Sequence, residues 1–438
     1  MMHRTWLWAR SSLLLTLTVT VVLGLLVPAR SQDVVTLRFS NWHLVETVWG
    51  RSLREAINIF ESRNPGIRIS PEPISYAEKE PRYQIECAAR RMPDVVKLHN
   101  FSLTLFFELG CAADLTSFIQ REGPGFLKTW YDTPMQIMTH KGKIMAMPGD
   151  FMSMVVIYNR DLFKAAGLDP DKPPKNWTEF LEYARRLTRD TDGDGRVDQW
   201  GFSMPASKNP GLPLRILPVV FSFGADFLTP DGRSSAMDSR EFREAFTYIV
   251  ELATVHRVVP PGVTTFGPGD VRTQMASRRV AMKIGSGWSY PIINDLNPSL
   301  KAAETLEAAP VPVGRKQTTV AWLSGWIMSP HTRNPDAAWK FIKFLSSKDI
   351  EKKFFEDNRV ISSRRDVNTL PLVRTDKFSR VIVSQLSQAR LEPLIKEWPE
   401  IFDAFATALQ EAITGAKTSE RALADAHARV NAILARPR

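Results

Sequence analysis

The chain of 438 residues is poor in the residue types that would mark a metal centre, a redox protein or a nucleophile-based enzyme. It has two cysteines and seven histidines, and these are so dispersed that no Cys/His ligand motif forms. H-E-x-x-H, the P-loop and a strand-linked G-x-G-x-x-G are all missing, and Gly285-Ser286-Gly287 does not extend into a G-x-S-x-G elbow. The formal charge is +10, yet no Lys/Arg tract interleaves with aromatics. A focused nucleic-acid patch, and with it a nucleic-acid partner, is therefore excluded. The basic balance fits solubility or mild attraction of an anionic ligand. Internal repeats and low-complexity linkers are also lacking, which argues for lobes joined by several chain crossings rather than a string of modules.

One long apolar run is present, at the N-terminus. Arg4 and Arg10 precede it, and it extends from Ser12 to Val27. That length falls short of the roughly 20 residues of a spanning helix. Ala29-Arg30-Ser31 places small residues where a signal peptidase reads them, so residues 1–31 read as a signal peptide cleaved after Ser31, with Ala29 as the alternative site. A retained membrane anchor is the competing reading of the same run. No Cys follows it to carry a lipid anchor, and no other segment is apolar enough to span a bilayer. The expectation is a soluble protein free in the periplasm. Losing Arg4, Arg10 and Arg30 lowers the formal charge from +10 to +7. An oxidising compartment permits Cys87 and Cys111 to pair, but spacing alone leaves both the bridged and the free form open.

About 400 residues exceed a single hydrophobic core and suggest two lobes. Apolar strands alternate with amphipathic helices, as in an α/β fold. Val34–Ser40 reads as the first strand. A helix with Leu53, Ala56, Ile57 and Phe60 on one face follows, stopped by Asn64-Pro65-Gly66. Ile67–Ser70 and Pro93–Leu98 read as the next strands. Asn176-Trp177-Thr178-Glu179 resembles a capping box ahead of an apolar stripe of Trp177, Phe180, Leu181, Ala184 and Leu187. Asn334-Pro335-Asp336 opens a helix burying Ala338, Phe341, Ile342 and Leu345, and Ser419–Leu434 is again amphipathic.

The stripe ends in Asp190-Thr191-Asp192-Gly193-Asp194-Gly195-Arg196-Val197-Asp198. Alternate carboxylates with Gly at the sixth position match the first half of an EF-hand loop, so Asp190, Asp192, Asp194 and Asp198 are candidate Ca²⁺ ligands. The twelfth position, where a bidentate carboxylate belongs, is Gly201. An Asp/Gly turn without metal is the competing reading.

Several strings carry a resemblance. They are Pro93-Asp94-Val95-Val96; Met147-Pro148; Tyr158-Asn159-Arg160-Asp161-Leu162-Phe163 through Ala165-Ala166-Gly167-Leu168; and Trp177-Thr178-Glu179-Phe180 leading into the Asp/Gly loop and Trp200-Gly201-Phe202. Gly287-Trp288, Ala309-Pro310-Val311-Pro312, Gly325-Trp326 and Asn334-Pro335-Asp336-Ala337-Ala338-Trp339 follow in order. Taken together, the chain resembles the family 1 extracellular solute-binding proteins of ABC importers, the maltose-binding-protein type. The resemblance implies a two-lobed periplasmic-binding-protein fold of type II, with no catalysis. Lobe 1 would comprise 32–145 and 309–346, and lobe 2 would comprise 146–308 and 347–438. The crossings fall near Lys143 to Gly149, near Ala308 to Gly314 and after Leu345. It further implies a monomer that closes on a carbohydrate and presents it to membrane permease subunits.

A pyranose offers a C–H face to aromatic rings and a belt of hydroxyls to carboxylates, amides and Arg. Trp288, Trp322, Gly325 and Trp326 are the candidates at the family's cleft landmarks. Core packing is the alternative for each indole. Strand ends nominate Asn41, Trp42 and His43, and then His99, Asn100 and Phe101. After the first crossing come Asp150, expected to accept two sugar hydroxyls, and Phe151. Arg215 and Phe223 lie where relatives line the second lobe. Trp398 and Phe402 lie one helical turn apart, and one of them would complete an aromatic wall. Acidic residues are sparse, and Met152 and Leu214 stand where polar groups would serve a maltodextrin, so the resemblance favours a carbohydrate without specifying that one. An exported hydrolase and a Ca²⁺-dependent adhesion module are the other readings.

Overall fold

A computed structural model describes residues 34–436. The signal-peptide reading and its two cleavage sites lie outside the described residues. Among these, no helix is long and apolar enough to cross a membrane.

Two sheets organise the molecule. The first contains β1 (Val35–Asn41), β2 (Ile67–Pro73), β3 (Val95–His99), and three strands from later in the chain. β4 (Thr139–His140) and β5 (Lys143–Ile144) form a separate small hairpin. β6 (Met147–Ser153) is followed at once by β7 (Val155–Asn159), and then come β8 (Trp200–Ser203), β9 (Val280–Gly285), β10 (Leu306–Ala309), β11 (Thr319–Met328) and β12 (Ala389–Arg390). The first sheet has the order β12-β11-β3-β1-β2, with β6 also on β11. β1 runs parallel to β2 and β3, while β11 runs antiparallel to β3 and β6. The second sheet has the order β10-β7-β9-β8. The fold is thus two-lobed α/β.

Sheet membership changes at Met154, between β6 and β7. The first crossing expected at Lys143 to Gly149 therefore falls ahead of the observed one. β6 stays with the first sheet because its residues from Met147 to Ser153 are hydrogen-bonded along β11. The return passage runs through 310–318, between β10 and β11. The helix Lys348–Asn358 remains on the first lobe although 347 onward was expected on the second. Phe354 packs on Trp49 at 5.4 Å, and Ser52 Oγ donates to Asp357 Oδ2 at 2.6 Å. Next, the 361–363 segment runs beside β6, where Phe151 N–H donates to the Ile361 carbonyl and Ser363 N–H to that of Gly149.

Local structure follows the residue patterns. Helix Thr47–Arg63 buries Leu53, Ala56, Ile57 and Phe60. The side chain of Asn176 accepts from the Glu179 amide at 2.9 Å and donates to Glu179 Oε1 at 3.0 Å, which starts helix Trp177–Leu187 as a reciprocal cap. In the second lobe, Phe227, Phe242, Phe246 and Phe405 make edge-on ring contacts that seat helix Trp398–Ile413. Cys87 and Cys111 form a disulfide, which joins the end of helix Lys79–Ala88 to the turn after helix Asn100–Glu108.

Candidate functional site: a cavity between the lobes

A cavity of about 190 Å³ lies where the two lobes face each other. That is smaller than the sites of drug-sized ligands, about 300–1,000 Å³, and suits a solute of one sugar unit. The first lobe supplies rings: Trp42, Trp49, Tyr76 and Trp322, with His43, Glu46 and Asp150 among them. The second lobe supplies Arg215, Arg272 and Trp288, with Gly211, Pro268 and Gly269. Trp288, just past the end of β9, meets Trp322 of β11 with ring centroids 5.2 Å apart, so the two indoles touch from opposite lobes.

The aromatic face is held rigid from behind. His43 stacks on Trp49 at 4.1 Å, and His99, fully buried, sits 4.4 Å from Trp42 and 3.9 Å from Trp322. Burial pushes both imidazoles down, His99 well below its ordinary range, so both are neutral at pH 7. Neutral His43 donates its Nδ1–H to Glu46 Oε2 at 2.9 Å, which leaves Nε2 as a buried acceptor with no partner among the described residues. Burial alone would raise Glu46, but its bond to His43 and the charge of Arg272 hold it below the usual carboxylate range. The hydroxyl of Tyr76 is buried without a partner among the described residues, and burial keeps the phenol neutral.

Asp150 is less free than the sequence suggested. Its Oδ2 accepts from Trp322 Nε1 at 2.7 Å, and its Oδ1 accepts from Ser324 Oγ and meets Lys97 Nζ at 3.2 Å. The carboxylate therefore serves first to set the indole of Trp322. On the opposite lobe, Arg215 is buried and donates Nη1 to the Gly211 carbonyl at 2.8 Å. Burial pushes its guanidinium down to about 10, so it remains a cation.

Of the remaining candidates, Phe101, Trp398 and Phe402 line a second cavity of about 460 Å³, between helices Asn100–Glu108 and Trp398–Ile413. There Trp398 Nε1 donates to Glu392 at 2.6 Å. The others line neither cavity. Asn41 and Asn100 are buried braces, accepting from the amides of His43 and Leu323. Phe151 alternates to the face of β6 opposite Asp150 and packs toward Tyr131 at 6.0 Å. Phe223 caps the end of helix Pro213–Ser222, about 12 Å along the axis from Arg215 in its first turn, and packs on Tyr248. Gly325 is a packing position, since a Cβ there would lie 2.6 Å from Met138 Sδ. Trp326 is core, 6.0 Å from Phe39. Glu46, Trp49, Tyr76, Arg272 and Val360 were not foreseen. Tyr76 follows the second strand, where the strand-end rule would have found it.

Asp190, Asp192 and Asp194 converge, with one ligand oxygen of each within 4.8 Å of the others. Asp198 instead accepts from the amide and hydroxyl of Thr191. Asp190 already accepts from the amides of Gly193 and Gly195. This loop is exposed and lines neither cavity.

Two lobes with a ring-lined cavity at their seam define a solute-binding protein. The sequence profile of bacterial extracellular solute-binding proteins matches residues 45–352, and the chain belongs to that family. A binding protein of Brucella abortus is 25% identical over 388 residues, which is 88% of this chain and 90% of the relative. The sn-glycerol-3-phosphate-binding periplasmic protein of Escherichia coli is 26% identical over 196 residues, 41% of this chain and 42% of that protein. Among solved structures, an ABC transporter solute-binding protein of Thermotoga lettingae bound with alpha-D-tagatose superposes with a TM-score of 0.84. It is 25% identical, and the match covers 91% of this chain and 100% of that one.

Proposed function

We propose that the protein is the periplasmic substrate-binding component of an ABC carbohydrate importer. It captures a mono- or oligosaccharide, or a related polyol or sugar phosphate, by hinge closure and delivers it to the membrane permease subunits. The observation that carries this reading is the pairing of Trp288 with the Trp42, Trp49, Tyr76 and Trp322 wall across the seam. A sugar ring between them contacts both lobes only when they are closed, so binding and closure are one equilibrium. The relatives that bind tagatose and glycerol phosphate support the same ligand class.

The protein works as a monomer in the periplasm, exported there by a signal peptide. A calcium ion at the Asp/Gly loop would order that loop and take no part in capture. The alternative, an exported carbohydrate-active hydrolase, needs one carboxyl kept protonated as general acid. Glu46 is held ionised and Asp150 is engaged with Trp322, Ser324 and Lys97, so neither suits that role. A thermal-shift screen of the mature protein against sugars, polyols and sugar phosphates tests the reading. A saturable rise in melting temperature without turnover is expected. Turnover of a chromogenic glycoside would favour the hydrolase instead.

A further inference from the structure

Resting on the receptor reading above, we propose that the captured solute carries an oxyanion, a carboxylate or a phosphate monoester, gripped from the second lobe by Arg215 and Arg272. The argument is one of unbalanced charge at the cavity. Both carboxylates that face it are already engaged on the first lobe. Glu46 accepts a hydrogen bond from His43 Nδ1–H, and Asp150 accepts from Trp322 and Ser324 and pairs with Lys97. Neither guanidinium of the second lobe has a carboxylate within 4.0 Å among the described residues.

Arg215 is 6% exposed, and its one side-chain hydrogen bond within the described residues goes to the Gly211 carbonyl. Arg272 has a buried Nε with no acceptor among the described residues. Arg272 feels the charge of Glu46, and Arg215 that of Glu392, only without direct contact, and two guanidiniums lining one cavity with no carboxylate bonded to either are costly in the desolvated, closed state. Their planar donor forks match a carboxylate or phosphate in bidentate fashion, which a single hydroxyl cannot do. The unpartnered Tyr76 hydroxyl on the facing lobe is a further donor for the same group. Behind them, the amino group of Lys283 is pushed well down, chiefly by burial, with the charges of Arg215 and Arg272 adding to it. The rings of the first lobe then take the carbon skeleton, and the second lobe takes the charge.

The test compares neutral and charged partners on the unmodified mature protein by calorimetry. The pairs are glucose with glucose 6-phosphate and with glucuronate, tagatose with tagatose 6-phosphate, and glycerol with sn-glycerol 3-phosphate. Binding is expected only on the charged side of a pair, or at least about tenfold tighter there, and the phosphate and carboxylate arms identify which oxyanion is used. Arg272→Gln and Arg215→Gln should each weaken that binding by about ten- to a hundredfold. Arg272 is half-buried, so its variant keeps the comparison readable if Arg215→Gln fails to fold. A neutral sugar or polyol that binds as tightly as its charged partner, and whose affinity survives Arg272→Gln, overturns the oxyanion and leaves the receptor intact. No saturable binding on either side of any pair overturns both.

Discussion

The indole nitrogen of Trp322 donates to Oδ2 of Asp150 at 2.7 Å, binding a ring of the solute wall to the strand that leads out of the first lobe. Lys97 completes the group from β3, with both Lys97 and Asp150 about 3% exposed. Asp150→Asn leaves Lys97 as an uncompensated buried charge among the rings of Trp42, Trp49 and Trp326. Urea unfolding is expected to show a loss of at least about 3 kcal/mol. Solute affinity falls as well, because Trp322 loses its anchor. An unchanged unfolding midpoint would remove Asp150 from this role.

Trp288 and Trp326 should separate binding from stability. Trp288→Ala removes one side of the ring clamp and is expected to raise the solute Kd by about tenfold or more. Trp326→Ala empties a site behind Phe39 and is expected to cost about 3–5 kcal/mol of stability. The Kd of the protein that remains folded should stay within about threefold. Calorimetry and denaturant titration of the two variants distinguish the effects.

That contrast also shows what was legible in the residues. Trp288 and Trp322 were nominated as ring platforms and the structure places both at the cavity, but Trp326 lies on the same strand as Trp322 and looks alike in sequence. Four residues along β11 are about 13 Å, and the pairing with β6 shifts register between Leu323 and Gly325. The strand thus passes from cleft to core between the two indoles. Periodicity found the helix faces and the first three strands, because those signals are local. It could not find Arg272, whose helix Pro268–Ala276 reaches the cavity only through the packing of the second lobe. Nor could it decide the Cys87–Cys111 bridge, which depends on how two helices meet.

Glu351 gives a pH test. Burial pushes its carboxyl up to about 8, with Asp150 adding to the rise and Lys97, Ser362 and Arg364 opposing it. Between an ordinary unfolded value near 4.5 and the folded value, the unfolded chain releases a proton that the folded chain keeps. Stability therefore falls as pH rises through that window and levels off above it. Glu351→Gln removes this slope. Relative to the unmodified protein, the variant should gain in melting temperature steadily from pH 5 to pH 8. The buried histidines act in both proteins alike, so they cancel in the difference. A constant difference across the range would mean that Glu351 is ionised in the folded state.

Closure of the lobes on the solute is the central claim, and small-angle X-ray scattering of the mature protein measures it most directly. With a solute from the screen, the radius of gyration is predicted to fall and to saturate at the concentration set by the calorimetric Kd. A scattering curve that stays constant at saturating solute, while calorimetry records full binding, would contradict it.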